Sequence, residues 1–194
     1  MANISAAFGL WPERQISGQK WTGAANMYYV PSTYGSNIFL GDPVVPTGTS
    51  DANGVPGVQL ATAGASNLFL GPMVGISNGG EPIIGIERSQ PVYHPASTAQ
   101  YILVADDPML LYRMEENGNM GANASMNNAN MVSGSGSTVT GLSGWMINSS
   151  SLATTNTLQL RIYWLWRASN NAIGTNAVWL VGNNQSSILN TTGV

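Results

Sequence analysis

Short apolar runs separated by turn residues follow one another from residue 26 almost to the end of the chain. The clearest run is Thr157–Arg167, where the alternate positions from Leu158 to Trp166 are all apolar. These side chains would share one face of a strand, and the intervening positions are mostly polar, with Leu165 as the exception. A period of two over this length does not fit a helix, so the run predicts a strand whose apolar face lies in a core or an interface.

The other runs predict further short strands, many of which end or begin at proline or glycine. They lie at Met27–Val30, Ile38–Leu40, Val44–Val45, Val58–Ala61, Asn67–Ile76, Pro82–Ile86, Val92–His94, Ser137–Gly144 and Ala177–Val181. Almost no segment has helical periodicity. Many short strands with frequent turn signals predict an all-β fold, a sandwich or barrel of short antiparallel strands.

The first residues of the chain have no sustained period and are interrupted by glycine and proline. They predict an extended, irregular N-terminal arm over residues 1–24, followed by a single β domain over residues 25–194. The arm carries Phe8, Trp11 and Trp21, and aromatic side chains on a segment without its own core must dock elsewhere. They would dock either on the sheet of the same chain or on a neighbouring subunit, where aromatic residues are favoured anchors.

An acidic corner interrupts the middle of the chain. The apolar run Tyr101–Ala105 ends at Asp106-Asp107-Pro108, and a second run continues from Met109 to the pair Glu115-Glu116. Aspartate followed by proline is a common turn sequence. This stretch therefore predicts a strand, a tight turn and a second strand in a hairpin-like pair.

Charge is scarce in this chain. Charged residues make up 8% of the sequence, against about 25% in a typical domain. A surface with so few charges suits a protein that packs against other protein, where charge is depleted and aromatic residues and Met are enriched. The net charge is −3, and the single lysine and five arginines are scattered along the sequence. No concentrated basic patch is visible, so binding to nucleic acid is not expected.

Other composition features exclude further classes. Cysteine is absent, so disulfides and thiolate metal sites are excluded. The N-terminal residues lack the basic start and the apolar core of a signal peptide. No apolar run approaches the ~20 residues of a membrane span, so no membrane partner is expected.

The sequence offers no convincing catalytic or metal-binding set. His94 is the only histidine and has no neighbouring nucleophile motif. The pairs Asp106-Asp107 and Glu115-Glu116 flank one predicted strand, so a single site could not use both of them. Gly134–Gly136 lacks the Gly-Lys-Ser/Thr that completes a phosphate-binding loop. We therefore predict a protein that is not an enzyme, with no cofactor and no metal.

Tyr101–Pro108 resembles a phrase found in the head decoration, or cement, proteins of tailed bacteriophages. Similar phrases occur in the same order at Tyr29–Thr33, Phe39–Val44, Asp51–Pro56, Ala61–Gly64, Met73–Ile76, Gly136–Gly144, Ala153–Thr155, Leu158–Ile162 and Asn170–Val181. Residues 77–95 and 117–132 depart from that pattern, and the strand around Trp164-Leu165-Trp166 is more aromatic than the family's.

The resemblance implies a structural virion protein on the outer surface of a phage capsid, made in the cytoplasm of the bacterial host. Its expected partner is the major capsid protein, which it would bind across joints between subunits to stabilise the mature shell. It also implies self-association, as a homotrimer first and a dimer second. The residues expected to contact the capsid or another copy are Phe8, Trp11, Arg14, Lys20, Trp21, Tyr28 and Tyr29.

Two other classes compete with this interpretation. A tail-fibre or receptor-binding β module would use exposed Trp and Asn side chains to bind carbohydrate. A hydrolase on a β scaffold would need an acid, base or nucleophile set that the sequence does not supply.

Overall fold

The alternating runs fold into short strands in the computed structural model, which describes residues 3–78, 81–82, 92–190 and 193. In chain order the strands are β1 Trp11–Gln15, β2 Asn26–Val30, β3 Pro43–Ser50, β4 Pro56–Leu60, β5 Gly71–Asn78, β6 Glu81–Pro82, β7 Gln100–Val104, β8 Leu110–Glu115, β9 Asn128–Ala129, β10 Met131–Val132, β11 Met146–Ile147, β12 Leu160–Leu165 and β13 Val178–Asn183. Within these residues the only helical pieces are the 3₁₀ turns Ala122–Ala124 and Ser149–Ser151. The all-β prediction is confirmed. The predicted strand Pro82–Ile86 lies outside the described residues after Pro82.

One sheet has five strands in the order β1-β8-β13-β12-β9, and all of its pairs are antiparallel. We call it the flat sheet, in the sense that it is open, with β1 and β9 as its two edge strands. Its strands come from both ends and the middle of the sequence, so its pairs join residues that are far apart along the chain. The short pair β10-β11 lies outside it as a separate two-stranded sheet.

The second sheet follows the order β3-β4-β2-β7-β5-β6. An additional pairing of β3 with β5, through Pro43 opposite Pro72 and Val44 opposite Gly71, closes five of these strands into a ring. We call this ring the barrel. Its strands are antiparallel neighbours except for β2 and β4, which run parallel. Closure removes most free strand edges, which are the usual liability of an open sheet.

The buried apolar side chains form two clusters. The barrel holds a smaller core that includes Val30, Met73 and Ile102. The larger core contains the inward residues of the flat sheet, and Val45 and Val74 of the barrel pack against it. The flat sheet is therefore packed on the outside of the barrel, as in a sandwich.

The acidic corner joins the two sheets. β7 pairs with β2 and β5 in the barrel, whereas β8 pairs with β1 and β13 in the flat sheet. The predicted strand, turn and strand are present, but the prediction of a hairpin-like pair is wrong because the two strands do not pair with each other. Asp107 shapes the turn, since one carboxylate oxygen accepts from the Met109 N–H at 2.8 Å and the other from the Gln15 side chain at 2.8 Å.

The N-terminal segment is extended, but it is not irregular throughout. Trp11–Gln15 forms β1, the strand next to β8 in the flat sheet. Leu10, just before it, is fully buried in the larger core. Part of the predicted arm therefore belongs to the sheet of its own chain. The boundary predicted at residue 24 stays a prediction.

We expect Gly71→Ala to destabilise the fold, because Gly71 lies at the pairing that closes the barrel. A Cβ atom there would overlap the backbone carbonyl oxygen of Ala105, which cannot move without shifting the corner. The expected loss is about 1–3 kcal/mol in the free energy of unfolding, measured by urea denaturation. Gly35→Ala is the matched control, since its Cβ would meet no atom within 4 Å. Equal unfolding free energies for the two variants would contradict the role assigned to Gly71.

Candidate functional site

A β-bulge in β12 decides which way its tryptophans face. Ile162 lies opposite Val181 and Trp164 opposite Leu180, so Tyr163 is an extra residue between them. An extra residue reverses the sides taken by all later side chains of the strand. Trp164 therefore lies on the outer face of the flat sheet, away from the buried Ile162.

The same bulge accounts for the break in the sequence pattern. Leu165 lies opposite Trp179 and packs against the larger core, whereas Trp166, the next residue, is half-buried outside it. The prediction that Trp164 and Trp166 share a face with Ile162 is therefore wrong. Leu165 breaks the period of two in the sequence because it follows the bulge and faces the larger core.

A second bulge, in β1, turns further side chains outward. Trp11 lies opposite Arg113 and Arg14 opposite Leu111, so Glu13 is the extra residue between the paired positions. Residues directly opposite each other in a sheet point to the same face. Trp11 and Arg14 therefore share the outer face with Arg113.

Arginine side chains stack on the outward tryptophans. The guanidinium carbon of Arg14 lies 4.9 Å from the ring centroid of Trp164, and that of Arg113 lies 4.8 Å from the ring centroid of Trp166. Each contact of this kind contributes about 0.5–1 kcal/mol at an exposed site. Tyr163 packs edge-on against Trp164, with 5.6 Å between ring centroids. We call the following set the aromatic–arginine layer: Trp11, Arg14, Arg113, Tyr163, Trp164 and Trp166.

The layer covers an apolar surface that belongs to neither core. Leu111 and Leu180 are only 1% and 4% exposed, although they face away from the larger core. Gly182 lies beneath Tyr163, because a Cβ there would approach the Cε2 atom of that ring to 2.8 Å. The outer face of the flat sheet thus carries leucines covered by aromatic and arginine side chains, with Trp11 still 38% exposed.

The lysine and arginine residues that looked scattered in sequence are gathered in space. Those in the described part of the chain are in the flat sheet or directly beside it, and none is in the barrel: Arg14, Lys20, Arg113, Arg161 and Arg167. Arg161 faces outward because its neighbours Leu160 and Ile162 are in the core, and its Nη1 donates to the carbonyl of Met126 at 2.8 Å. The carboxylate of Glu13, which is partly exposed, lies 3.0 Å from Nε of Arg113.

The predicted contact residues divide among several places. Trp11 and Arg14 belong to the layer. Lys20 is exposed beside Arg14, where the chain folds back against β1. Trp21 is half-buried against the larger core, and its indole N–H donates to the carbonyl of Ala24 at 3.0 Å. Trp21 is therefore bound to its own chain, whereas Trp11 is available to a partner.

The remaining predicted residues lie elsewhere. Tyr28 packs against the barrel core and donates to Asp106 at 2.6 Å. The Tyr29 ring lies 5.5 Å from that of Tyr101 on the neighbouring strand β7. Phe8 is half-buried, with its carbonyl group against Gly41.

Arg113 was not predicted from the sequence, because Trp166, on which it stacks, lies far away in the chain.

Several buried acidic groups act as hydrogen-bond acceptors for the fold. Glu115 accepts from the Ala6 N–H at 2.9 Å, and Glu116 accepts from Met120 N–H at 2.6 Å and from the Trp179 indole at 3.1 Å. Burial raises the pKa of both glutamates. Among the residues that the structure describes, no group of three or more His, Asp or Glu side chains is placed to hold a metal ion.

Asp42 and His94 are also buried titratable groups. One carboxylate oxygen of Asp42 accepts from the Phe39 N–H at 2.8 Å. Burial raises the pKa of Asp42 to about 6, partly offset by Ser143 and the Phe39 N–H. Burial also lowers the pKa of His94, whose Nε2 lies 2.8 Å from the carbonyl of Thr98. Both groups have hydrogen-bond partners within the fold.

Neither a family model, nor a curated protein, nor a solved structure matches this chain. Its function is therefore inferred from its residues and their geometry. In the described residues no helix has the length and apolar character needed to cross a membrane. The aromatic–arginine layer is the feature of these residues that is best suited to contact another molecule.

We expect Asp42 to make stability depend on pH. Its pKa is about 6 in the folded chain and 3.8 without burial, so between these values the folded state keeps a proton that the unfolded state has lost. This contribution to stability is fully present below pH 3.8 and is lost as the pH rises through about 6. Glu115 and Glu116 act with the same sign, whereas His94, with its lowered pKa, acts with the opposite sign.

The comparison with Asp42→Asn isolates the one group. Urea unfolding at several pH values between about 4 and 7 should show the wild type losing stability relative to the variant as the pH rises. A difference that stays constant, or that changes in the other direction, would show that Asp42 does not titrate as described.

Proposed function

We propose that this chain is a structural virion protein that decorates and cements a phage capsid. It would bind across joints between major capsid protein subunits, on the outer surface of the shell, after synthesis in the cytoplasm of the bacterial host. The observation that carries the proposal is the aromatic–arginine layer. Trp, Tyr and Arg are the residue types that dominate the binding energy of protein–protein interfaces.

The low charge of the chain supports the same proposal. Only 8% of the residues are charged, which leaves little electrostatic repulsion between copies packed closely on a shell. Ile16 and Met109 are large apolar side chains that are 47% and 49% exposed. They lie next to Tyr163 and so enlarge the exposed apolar surface beside the layer. Ile16 and Met109 are neighbours, because the Ile16 N–H donates to the Met109 carbonyl at 2.9 Å.

Two of the segments that resemble decoration proteins form strands and turns that hold the fold together. Tyr101–Pro108 contains all but the first residue of β7 and the corner between the sheets, and Phe39–Val44 contains the turn held by Asp42. The strand around Trp164 and Trp166 departs from the family pattern, and both tryptophans lie in the outward layer. The resembling segments thus include part of the framework, and one of the three departures lies on the face that we assign to the partner.

The mechanism of stabilisation is mass action. A ligand that binds the assembled shell and not its dissociated subunits shifts the equilibrium towards the shell. A cyclic homotrimer at threefold or quasi-threefold positions, or second a dimer at twofold positions, would present several identical faces at once. Linked faces bind with greater avidity than one face alone. The proposal involves no reaction, no cofactor, no nucleic acid and no membrane.

A tail-fibre or carbohydrate-binding module is the alternative, favoured by the exposure of the Trp11 ring. Flat aromatic rings on a sheet can bind the apolar faces of sugars. The number of copies in each particle distinguishes the two functions, since decoration proteins follow the capsid lattice and fibres occur a few times per particle.

The copy number of this chain in purified particles tests the proposal. We expect a ratio to the major capsid protein of one or a simple fraction, measured by quantitative mass spectrometry. Particles stripped of the chain with a chaotrope should lose their shells at a lower temperature, and adding the purified chain should restore heat resistance. A few copies per particle would instead support the fibre function.

Replacing Trp11 and Trp21 separately tests which side of the N-terminal segment contacts the capsid. Trp11→Ala should lower shell occupancy about tenfold or more with little change in the unfolding midpoint, because Trp11 is partly exposed. Trp21→Ala should lower stability by roughly 1–3 kcal/mol, because Trp21 packs against the core of its own chain. Unchanged occupancy for Trp11→Ala, at matched stability, would remove Trp11 from the interface.

A further inference from the structure

We propose that the aromatic–arginine layer docks on an acidic surface of another protein, with the guanidinium groups of Arg14 and Arg113 receiving its carboxylates. This inference rests on the proposed function, and it names the chemistry of the patch on the capsid protein that the chain would bind. The reasons are the charge of the layer, the arrangement of its arginines and the surfaces already occupied.

The charge of the layer is opposite to that of the whole chain. The chain carries a net charge of −3, yet Arg14, Arg113 and Arg161 all face outward from the flat sheet. Among the described residues of this face, Glu13 is partly exposed, whereas Glu115 is 1% exposed and is covered by the N-terminal segment through Ala6. A positive face on an acidic protein is complementary to a negative partner and orients the two proteins during encounter.

The two stacked arginines are already arranged for binding. Stacking on Trp164 and Trp166 restricts the guanidinium groups, so less side-chain entropy is lost when a partner binds. Arg14 makes no ion pair with any residue that the structure describes, and its guanidinium is held only by the contact with Trp164. Arg113 uses Nε towards Glu13, which leaves its terminal nitrogens for a carboxylate. A guanidinium group binds a carboxylate through two parallel hydrogen bonds, which a lysine cannot do.

The same stacking disfavours other occupants. Nucleobases and sugar rings bind to free aromatic faces. A guanidinium group already occupies one face of Trp164 and one face of Trp166, so Trp11 is the tryptophan of the layer without a stacked guanidinium. A second copy bound face to face would place arginines against arginines. An acidic protein surface satisfies the arginines and covers the exposed part of Trp11.

The first test uses an acidic peptide as the probe. A peptide of alternating Glu and Val is immobilised at high density, and binding of the full chain is measured by surface plasmon resonance over a range of salt concentrations. Matched surfaces carry the peptide with Gln in place of Glu, and oligothymidylate. We expect binding to the Glu surface that weakens as salt increases, and weaker binding to the other two surfaces.

Variants connect this binding to the layer. Arg14→Gln with Arg113→Gln should weaken binding to the Glu surface by about tenfold or more. Arg113→Lys keeps the charge but loses the planar fork and should lie between the double variant and the wild type. Arg167→Gln removes one exposed positive charge outside the layer and is the control, with an expected change of less than about twofold. Unfolding midpoints measured for each variant show that the fold is retained.

Other outcomes would overturn the inference. These are absence of binding to the Glu surface, equal binding to the Gln surface, preference for oligothymidylate, or self-association that is lost in the arginine variants. Binding by Arg113→Lys equal to the wild type would remove the bidentate role of Arg113.

The second test uses capsid shells stripped of the chain, and it separates the two proposals. Salt-sensitive shell binding that is lost in the double variant supports both. Shell binding that is unchanged in the double variant overturns the acidic-partner inference and leaves the decoration function standing. Binding to the Glu surface without any binding to shells supports the acidic chemistry and overturns the capsid function.

Discussion

The corner at Ala105–Pro108 is the connection on which the rest of the structure depends, because it fixes the barrel against the flat sheet. The Ala105 N–H donates to the carbonyl of Pro72 at 3.1 Å, and the Ala105 carbonyl accepts from the Tyr112 hydroxyl at 3.1 Å. Asp106 accepts from Asn26 and Tyr28 of β2. Hydrogen bonds to a charged carboxylate contribute about 1.5–3 kcal/mol each, more than those between neutral groups. One short segment thus ties strands of both sheets together, so the sheets pack as one body.

That constraint places the candidate site. Because β8 leaves the corner in a fixed direction, its neighbours β1 and β13 follow, and the outer face of the flat sheet points away from the barrel. The inner face is covered by the larger core, whereas the outer face carries the aromatic–arginine layer, with the N-terminal segment over Glu115. The aromatic–arginine layer is the result, since Leu111 and Leu180 would otherwise meet water directly. The layer stabilises the sheet and remains accessible, so the side chains that protect these leucines are also the ones available to a partner.

More of the fold than of the candidate site could be predicted from the sequence. Turn residues and period-two patterns are local signals, so the class of fold, most strands and the acidic turn were predicted correctly. Trp11 and Arg14 were identified as contact residues from their types and their positions in the predicted arm, and both lie in the layer. Trp21 and Tyr28 were chosen on the same grounds, but they pack within their own chain. Residue type does not distinguish an aromatic side chain that binds a partner from one that completes a core.

By itself the sequence determined that this chain is a β protein with little charge and an acidic turn at its centre. Composition is read directly from the residues, and alternation and turn sequences involve only neighbouring residues, so none of them depends on the tertiary structure. Only the tertiary structure decided that β7 and β8 belong to different sheets, and that Trp164 and Trp166 face outward. It also decided that Arg14 and Arg113 meet those rings. The physical reason is that one bulged residue reverses the face of every later side chain in its strand. Strand pairing then joins positions as distant as Trp11, Arg113 and Leu180, which no local pattern specifies.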